Sequence, residues 1–441
     1  MSISYRPGRG SHLIGLAVAI LVLTCGTSAT ATQLFKPDPE AVLGGADAAP
    51  WSAIERHVDR HPRFPLEPFH PKLAHFYPQV AKAFATKEPH SRSFLLHLAP
   101  GWDRTSRKRP VLLIPGANDD GTRRYAHPLS HTHPDHLKVP GLAQYLAARG
   151  FAVFAISFSH YHGCNLHQGE QVANAIARIR ALLKRDSDPT FKVDLVTYSK
   201  GAMAARCYLQ SAGQLYGAKH LTAFRGDVHR VVFQVGPIGG LDTPFRYYLY
   251  NLTCKVNEIP APLGVSSQVI YGSWVDSGAE DIHSGFWTGQ LQMIHDQREV
   301  GVGYGPLSWT ADANLTMVAL RDGGASLFLK GQGLDAARHA GGDMIEQLNR
   351  GGLPAEVRAS LAAGTQPILY DDHVHTWKMP LGAELSGQSD GLVFTKSACY
   401  AKGLTGRGAR VTAVKTFPLN HIDMSRSAEV FRWVSEQLAA E

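Results

Sequence analysis

The stretch Val193–Gly201 reads VDLVTYSKG and is followed by the small-residue run AMAA. Its first half is short and apolar, which predicts a buried strand, and the residues after it predict a helix. A serine at a sharp turn from strand to helix stands above the sheet, and small neighbours let the two elements approach closely. The sequence therefore predicts such a turn with Ser199 at its tip. Thr197 stands where glycine is usual, and a serine in an ordinary loop is the alternative.

Strands and helices alternate on both sides of this turn. The predicted strands are Ser93–Leu98, Val111–Ile114, Phe151–Ser157 and Val231–Val235, and the predicted helices are Leu142–Arg149, Glu170–Arg185 and Gly201–Leu209. Such alternation predicts a mostly parallel sheet covered by helices on both faces. The fold class expected is α/β.

The regular alternation is lost between residues 241 and 380, where one helix is predicted at Asp335–Asn349. We expect this region to be a lid or cap inserted into the core. The α/β pattern returns at Gly391–Phe394 and ends in an amphipathic helix, Ala428–Leu438. The predicted organisation is a signal peptide at 1–31, an N-terminal extension at 32–105, core at 106–240, the lid insertion at 241–380 and core again at 381–441.

The first 31 residues carry two arginines, the apolar stretch Leu13–Leu23 and small residues that end at Ala31. This is the pattern of a secretory signal peptide, so we expect export to the periplasm or the medium after cleavage near Ala31. An uncleaved anchor is the alternative, and a lipidated Cys25 is less favoured. The apolar stretch is about half of the roughly 20 residues that a membrane span needs, so integral membrane association is not expected.

Composition excludes other classes of protein. With 44% hydrophobic and 18% charged residues, the chain has the make-up of an ordinary globular protein. Its formal net charge of +7 is spread without a dense basic run. Nucleic acid is therefore not an expected partner.

A serine is a weak nucleophile until a histidine takes its proton and a carboxylate orients that histidine. The segment SDGLV places Asp390 in a turn, and PLNHIDM places His421 in a loop before the last helix. The order Ser199, Asp390, His421 is that of an α/β-hydrolase, and we predict these three as the catalytic residues. Asp276, which ends a second apolar stretch, is the alternative acid. Two further candidates, Asp371 and Asp372, are weaker.

The same mechanism needs backbone N–H groups aimed at the charge that develops on the substrate oxygen. Ala117 follows the early strand Val111–Ile114, and Lys200 follows the serine. We predict that the N–H groups of Ala117 and Lys200 form this oxyanion hole. Because only its backbone is used, the side chain of Lys200 should be dispensable for turnover.

The segments VLLIPGA, GEQV, VDLVTYSKG, QSDGLV and NHIDM resemble the secreted bacterial true lipases of the Burkholderia and Pseudomonas type, which have the α/β-hydrolase fold. The resemblance covers residues 110–240 and 388–441. It implies an exported carboxylic ester hydrolase with a mobile lid, in which Ser199 is the nucleophile, Asp390 the acid and His421 the base. The chain departs from the family at two places. It has Pro115-Gly116 where the family has His-Gly, and it has TYSKGA where the family has GHSxGG.

The same resemblance raises the question of a metal. The family often carries a structural calcium, and Asp423 matches one of its ligands, whereas Ser427 replaces the matching glutamine. We therefore expect no required cofactor and keep calcium at Asp423 as a weak candidate. Two groups of histidines offer another metal: His127, His131, His133 and His136, and His160, His162 and His167. Their spacing matches no closed zinc motif, and we expect them to lie in loops at the mouth of the cleft.

Three classes of function remain open at this point. A serine esterase is favoured, a metal-dependent hydrolase is second, and an inactive binding protein on the hydrolase fold is third. Aromatic residues are frequent in the insertion: Phe245, Tyr247, Tyr248, Trp274, Phe286 and Trp287. They favour a hydrophobic ester at a lipid droplet or polymer surface, either an acylglycerol or a polyester such as a polyhydroxyalkanoate, although packing inside a lid explains them equally well.

Four cysteines follow the signal peptide: Cys164, Cys207, Cys254 and Cys399. An exported protein with four cysteines is consistent with one disulfide, but three full pairings exist and the sequence does not select one. We expect Cys207 to be a small core residue. The pairing that we favour is Cys254 with Cys399.

Overall fold

A nine-stranded mixed sheet forms the centre of the computed structural model. The structure describes residues 37–61, 63–64, 66–67, 76–104, 109–128, 139–242, 288–303, 333–369, 379–380 and 387–440. The strands are β1 (Ala41–Gly44), β2 (Ala53–Val58), β3 (Ser93–Leu98), β4 (Val111–Ile114), β5 (Val153–Phe158), β6 (Val193–Tyr198), β7 (Val228–Gln234), β8 (Arg358–Gly364), β9 (Ile368–Leu369), β10 (Met379–Pro380) and β11 (Arg410–Phe417). The order in the large sheet is β1-β2-β3-β5-β4-β6-β7-β8-β11, and β9 pairs with β10 separately.

Six neighbouring strands of the large sheet are parallel, in the order β5-β4-β6-β7-β8-β11. Strands β1, β2 and β3 extend the sheet by antiparallel pairing. The helices are α1 (Pro78–Phe84), α2 (Leu142–Ala147), α3 (Asn165–Leu182), α4 (Gly201–Leu209), α5 (Ala212–Leu215), α6 (Thr288–Leu291), α7 (Gly333–Ala340), α8 (Met344–Gly351), α9 (Thr395–Ala398), α10 (Lys402–Thr405) and α11 (Ala428–Ala439). One face of the sheet packs on α3 and α4, and the other packs on α1, α2 and α11. The predicted α/β class, a mostly parallel sheet with helices on both faces, is confirmed.

The strand order decides where the site lies. The chain passes from β4 outward to β5 and then back across β4 to β6, so β4 lies between them, and Ile114 pairs with Thr197 at the carboxyl ends of β4 and β6. Ligands of open α/β sheets bind at such a reversal, outside the carboxyl ends of the strands. The loops after β4 and β6, which carry Ala117 and Ser199, are therefore neighbours.

Two boundaries differ from the sequence prediction. Strand β8 lies inside the range 241–380 that the sequence assigned to the insertion, yet it is paired between β7 and β11. Its sequence RASLAAG is short and rich in small residues, so it carries no strong strand signal. In the N-terminal extension, β1 and β2, which the sequence analysis did not predict, join the predicted strand β3 in the central sheet.

Some predicted elements take another form. The helix expected at Asp335–Asn349 is two helices, α7 and α8, because Gly342 and Asp343 have positive φ angles of 67° and 49°. Gly391–Phe394 is a turn rather than a strand, with only an isolated bridge between Ser389 and Phe394. The last strand of the sheet is instead β11, which the sequence analysis did not predict; its sequence RVTAVKTF is mixed, and exposed and half-buried positions alternate along this edge strand.

The predicted disulfide is not formed. Cys399 is a free thiol, and Cys254 lies outside the described residues. A disulfide requires Cα atoms within about 7 Å of each other, and cysteine spacing along the chain does not fix that distance. Cys207 is a buried core residue, as expected.

No helix in the part of the chain that the structure describes is long and apolar enough to span a membrane.

Candidate active site

Ser199 occupies a strained turn between β6 and α4. Its φ angle is +50°, a left-handed conformation that is uncommon for a residue with a Cβ atom. The Ser199 N–H donates to the carbonyl of Gln234 on β7 at 2.9 Å, and its carbonyl accepts from the Ala202 N–H at 3.0 Å. These bonds hold the turn, and they leave the half-buried side chain at the carboxyl end of the sheet. The predicted strand, turn and helix are all present.

Glycines on neighbouring segments make room for this turn. A Cβ atom on Gly116 would lie 2.8 Å from Ser199 Cβ, and one on Gly201 would lie 2.5 Å from the Pro115 carbonyl oxygen. A Cβ atom on Gly236 would lie 2.6 Å from Ala202 Cβ. The close approach required at such a turn is thus achieved even though Thr197 replaces the usual glycine.

His421 and Asp390 form a buried, hydrogen-bonded pair. The distance between His421 Nδ1 and Asp390 Oδ2 is 2.8 Å, and the His421 N–H donates to the Asp390 carbonyl at 2.7 Å. The exposed fractions are 4% for His421 and 1% for Asp390, so solvent screens this contact little. Because the carboxylate accepts from Nδ1, the other ring nitrogen, Nε2, is available as a base.

The carboxylate of Asp390 is fixed by its own turn. Its Oδ1 atom accepts from the N–H groups of Leu392 at 2.9 Å and Val393 at 2.7 Å, and Gly391 has a φ angle of +97°. A Cβ atom on Gly364, at the end of β8, would lie 2.7 Å from Asp390 Cβ. The strand that the sequence missed therefore supports the acid. The other candidate acids, Asp276, Asp371 and Asp372, lie outside the described residues.

Tyr198 connects this pair to the serine turn. Its hydroxyl donates to the His421 carbonyl, and the two rings meet edge to face with centroids 5.5 Å apart. Burial raises the pKa of Tyr198, so the hydroxyl keeps its proton and acts as a donor. The residue immediately before Ser199 thus places the histidine loop beside the turn.

Arg124 joins three segments of the site, and the sequence analysis did not identify it. Its guanidinium lies 4.1 Å from the centre of the Tyr198 ring and donates to Ser425 Oγ, in the histidine loop, at 2.6 Å. It also forms an ion pair with Asp119, two residues after Ala117. Burial raises the pKa of Asp119, and the charge of Arg124 opposes that shift. The signal in the sequence was the acidic pair and the arginine pair of DDGTRR, directly after the predicted oxyanion residue.

Two backbone donors are available beside the serine. The N–H groups of Ala117 and Lys200 have no hydrogen-bond acceptor among the residues that the structure describes. The Ala117 loop is held by Tyr125, whose hydroxyl donates to the Ile114 carbonyl at 2.7 Å, and by Arg123, which donates to the Asn118 carbonyl at 3.1 Å. Donors held in advance in this way are what an oxyanion hole requires.

The side chain of Lys200 is buried. The sequence analysis expected it to be dispensable for turnover and did not predict this burial. Nζ donates to Gln168 Oε1 at 2.5 Å, and Gln168 Nε2 donates to the His160 carbonyl at 2.8 Å. Burial lowers the pKa of Lys200 to about 7. Gly289 packs directly on it, since a Cβ atom there would lie 2.5 Å from Lys200 Cε. The side chain therefore links the serine turn to α3 and to α6, which lies inside the range 241–380 assigned to the insertion.

Four of the histidines predicted to lie at the cleft mouth are buried instead: His127, His160, His162 and His167. The other three, His131, His133 and His136, lie outside the described residues. Apolar neighbours such as Phe64, which packs on His167 with ring centroids 4.8 Å apart, account for this burial. Within the described ranges, no group of three or more metal-binding side chains is close enough to hold an ion.

The weak calcium candidate has protein partners. Asp423 Oδ2 accepts from Asn420 Nδ2 at 2.7 Å, and Oδ1 lies 3.8 Å from an Arg426 nitrogen. Ser427 caps α11, because its Oγ accepts from the Val430 N–H at 3.4 Å. A calcium ion at Asp423 stays a prediction.

Comparison with known proteins gives matches among solved structures alone. No protein-family model and no curated protein matches the chain. It is similar to the mature form of the lipase BlEst2 from Bacillus licheniformis, at 15% identity and a TM-score of 0.40, over 77% of this chain and 97% of that one. It is also similar to a highly thermostable carboxyl esterase from Bacillus coagulans, at 13% identity and a TM-score of 0.34, over 78% and 92% of the two chains. A probable hydrolytic enzyme from Pseudomonas aeruginosa PAO1 matches at 15% identity and a TM-score of 0.31, over 79% and 91%. These similarities are too low to argue an activity.

Proposed function

We propose that the protein is a serine hydrolase of carboxylic esters that works through an acyl-enzyme on Ser199. The observation that carries the proposal is the buried His421–Asp390 pair, which Tyr198 ties to a strained serine turn. A nucleophile, a base and a group that orients the base are the minimum set for acyl transfer. Unoccupied N–H donors at Ala117 and Lys200 complete it.

Each of these residues has its own role in the proposed reaction. His421 Nε2 takes the proton of Ser199 as Oγ attacks the ester carbonyl, and the N–H groups of Ala117 and Lys200 donate to the oxygen that becomes negative. The imidazolium, stabilised by Asp390, then protonates the alcohol, which leaves. Water attacks the acyl-enzyme by the same steps, with His421 as base, and releases the acid.

The test of this mechanism uses two reagents. A fluorophosphonate probe should label the wild-type chain and not Ser199→Ala, and the same substitution should lower hydrolysis of p-nitrophenyl butyrate by several orders of magnitude. A metal-dependent hydrolase would instead lose activity to a chelator and leave the probe unreacted. An inactive binding protein would show neither labelling nor turnover.

We further propose that the enzyme is exported and acts on hydrophobic esters, like the Burkholderia and Pseudomonas lipases that its motifs resemble. The support is the pattern of residues 1–31 and the aromatic residues in 243–287, such as Trp274 and Trp287. Rates on tributyrin, triolein emulsion and a polyhydroxybutyrate suspension separate a lipase from a polyester depolymerase. Turnover of soluble short esters with none on the three dispersed substrates would reject both.

A further inference from the structure

A row of charged side chains crosses the amino-terminal edge of the parallel sheet, the edge opposite Ser199. Asp194 on β6 pairs with Arg230 on β7, Arg230 pairs with Arg358 on β8, and Arg358 pairs with Arg410 on β11. Paired residues of neighbouring parallel strands point to the same face, about 4.8 Å apart. Three arginines therefore stand side by side on three consecutive strands.

The one carboxylate in this row, that of Asp194, already has partners on the side away from Arg230. Arg109, just before β4, donates from Nε to Asp194 Oδ2 at 3.2 Å, and His229 Nδ1 lies 3.3 Å from Asp194 Oδ1. Among the described residues, the row together with Arg109 thus contains one carboxylate and four guanidinium groups. Like charges on directly neighbouring strand positions are destabilising.

Arg230 is the most buried arginine of the row. Its exposed fraction is 1%, and its Nε and Nη1 atoms are buried with no hydrogen-bond partner in the part of the chain that the structure describes. Burial lowers the pKa of Arg230, and the charges of Arg358 and Arg109 lower it further, against the opposing effect of Asp194. Asp194 is the one counter-charge in the row, and Arg109 and His229 share it; a buried cation whose N–H groups lack partners is strongly destabilising.

The helix above this face supplies little compensation. Ser360, two residues after Arg358 and on the same face, donates from Oγ to Gln437 Oε1 at 3.1 Å, which places the last turn of α11 nearby. The carbonyl groups at a helix C-terminus carry only about half of an elementary negative charge. Three neighbouring guanidinium groups need more than that.

We infer that Arg230 and Arg358 bind a tetrahedral oxyanion of the phosphate type. A guanidinium presents its N–H donors as a planar fork that fits phosphate oxygens two at a time, and two forks on neighbouring strands can hold one doubly charged anion between them. Arg358 is half-buried and Arg410 is exposed, so the row is open to solvent on that side. Bound from the open side at Arg358, the anion supplies negative charge that the row lacks and separates the like charges.

The experiment measures the thermal unfolding midpoint, Tm, of the full chain in sodium phosphate and in sodium chloride of equal ionic strength and pH. The variants are Arg230→Met and, as a matched control, Arg185→Met, an exposed arginine that pairs with Asp188. Phosphate in roughly 100-fold excess over its Kd should raise the wild-type Tm by about 3 °C, with saturation, and the control should behave identically. In chloride, Arg230→Met should be at least as stable as the wild type, because it lacks the uncompensated charge.

The decisive result is the interaction between variant and salt. Arg230→Met should gain nothing from phosphate, and calorimetric titration with inorganic phosphate should give a saturable heat for the wild type alone. An equal phosphate effect on both proteins, or none on the wild type, would overturn the site. If Arg230→Met does not fold, Arg358→Gln gives the same comparison from the half-buried side of the row. Ester hydrolysis takes place at the other end of the strands, so the outcome is independent of the proposed activity.

Discussion

In the proposed mechanism, single atoms of Asp390 and His421 decide the chemistry. Asp390 accepts from His421 Nδ1 through one oxygen and from two backbone N–H groups through the other, so both carboxylate oxygens are fixed as acceptors. Asp390→Asn keeps the shape but reverses the hydrogen bond to Nδ1, which favours the wrong imidazole tautomer. We expect kcat on a soluble ester to fall by roughly 10³- to 10⁴-fold with the fold intact. If Asp276→Asn lowers kcat far more than Asp390→Asn does, the acid is Asp276.

Burial of Lys200 should make the free energy of unfolding depend on pH. The unfolded lysine titrates near 10.5, whereas burial lowers the pKa of Lys200 to about 7 in the folded chain. Between these values the unfolded state binds more protons, so stability linked to Lys200 rises with pH across this window and is constant below it. Relative to Lys200→Met, the wild type should gain on the order of 2 kcal/mol in urea unfolding between pH 7 and pH 9.

The same variant tests whether the ammonium takes part in catalysis. Because Lys200 is expected to contribute its backbone N–H alone, kcat of Lys200→Met should stay within a few-fold of the wild type at pH 8. A loss of roughly 10³-fold would show that the ammonium acts on the reacting atoms. A stability difference that does not change with pH would show that Lys200 is not buried as described.

The contacts between elements position these atoms, and Arg124 is the residue shared by most of them. It touches the nucleophile strand at Tyr198, the histidine loop at Ser425 and the oxyanion loop at Asp119. Arg124→Met should therefore lower kcat by roughly 10- to 100-fold and leave KM nearly unchanged, since misplacement of a reacting group by about 1 Å has that effect. Arg149→Met, which removes an arginine stacked on Tyr145, is the control.

A purely structural role for Arg124 would change stability and leave kcat unchanged. Arg124→Lys keeps the charge but loses the planar guanidinium that contacts Tyr198 and Ser425, so it should recover kcat only in part. A kcat of Arg124→Met equal to that of the wild type would limit Arg124 to a contribution to stability.

Strand β8 supports the acid through its last residue. A Cβ atom on Gly364 would lie 2.4 Å from the Leu419 carbonyl oxygen and 2.7 Å from Asp390 Cβ. Gly364→Ala should therefore displace the acid and lower kcat by at least about 10-fold. Gly44→Ala, at the end of β1 with no atom within 4 Å of the added methyl, should leave kcat unchanged. Equal kcat values for the two variants would remove β8 from the account.

The elements that sequence reasoning located are those with strong local signals. Strands β4, β5 and β6 are apolar runs, and the turn at Ser199 follows from small residues after a strand. In contrast, β8 is a run of small residues whose strand character comes from pairing between β7 and β11. The contacts of Arg124 join residues about 300 positions apart, and no local pattern encodes such a distance. The candidate triad was foreseeable from residue order, whereas its supporting contacts were not.

At the scale of the whole molecule, the two proposed sites lie at opposite edges of the sheet. The carboxyl ends of β4 and β6 hold the proposed catalytic groups around Ser199, and the amino ends of β6, β7 and β8 hold the arginines around Arg230. The length of the strands therefore separates the proposed catalytic site from the proposed anion site. Changes at Arg230 should alter stability without altering kcat, and changes at Ser199 should do the reverse.

The claim that Ser199 is the nucleophile is central, and one measurement tests it most directly. The wild-type chain is treated with a fluorophosphonate, digested and sequenced by tandem mass spectrometry. We predict one adduct, on Ser199 Oγ, that does not form in His421→Ala. An adduct on another serine, or unchanged ester turnover by a chain whose Ser199 carries the adduct, would contradict the account.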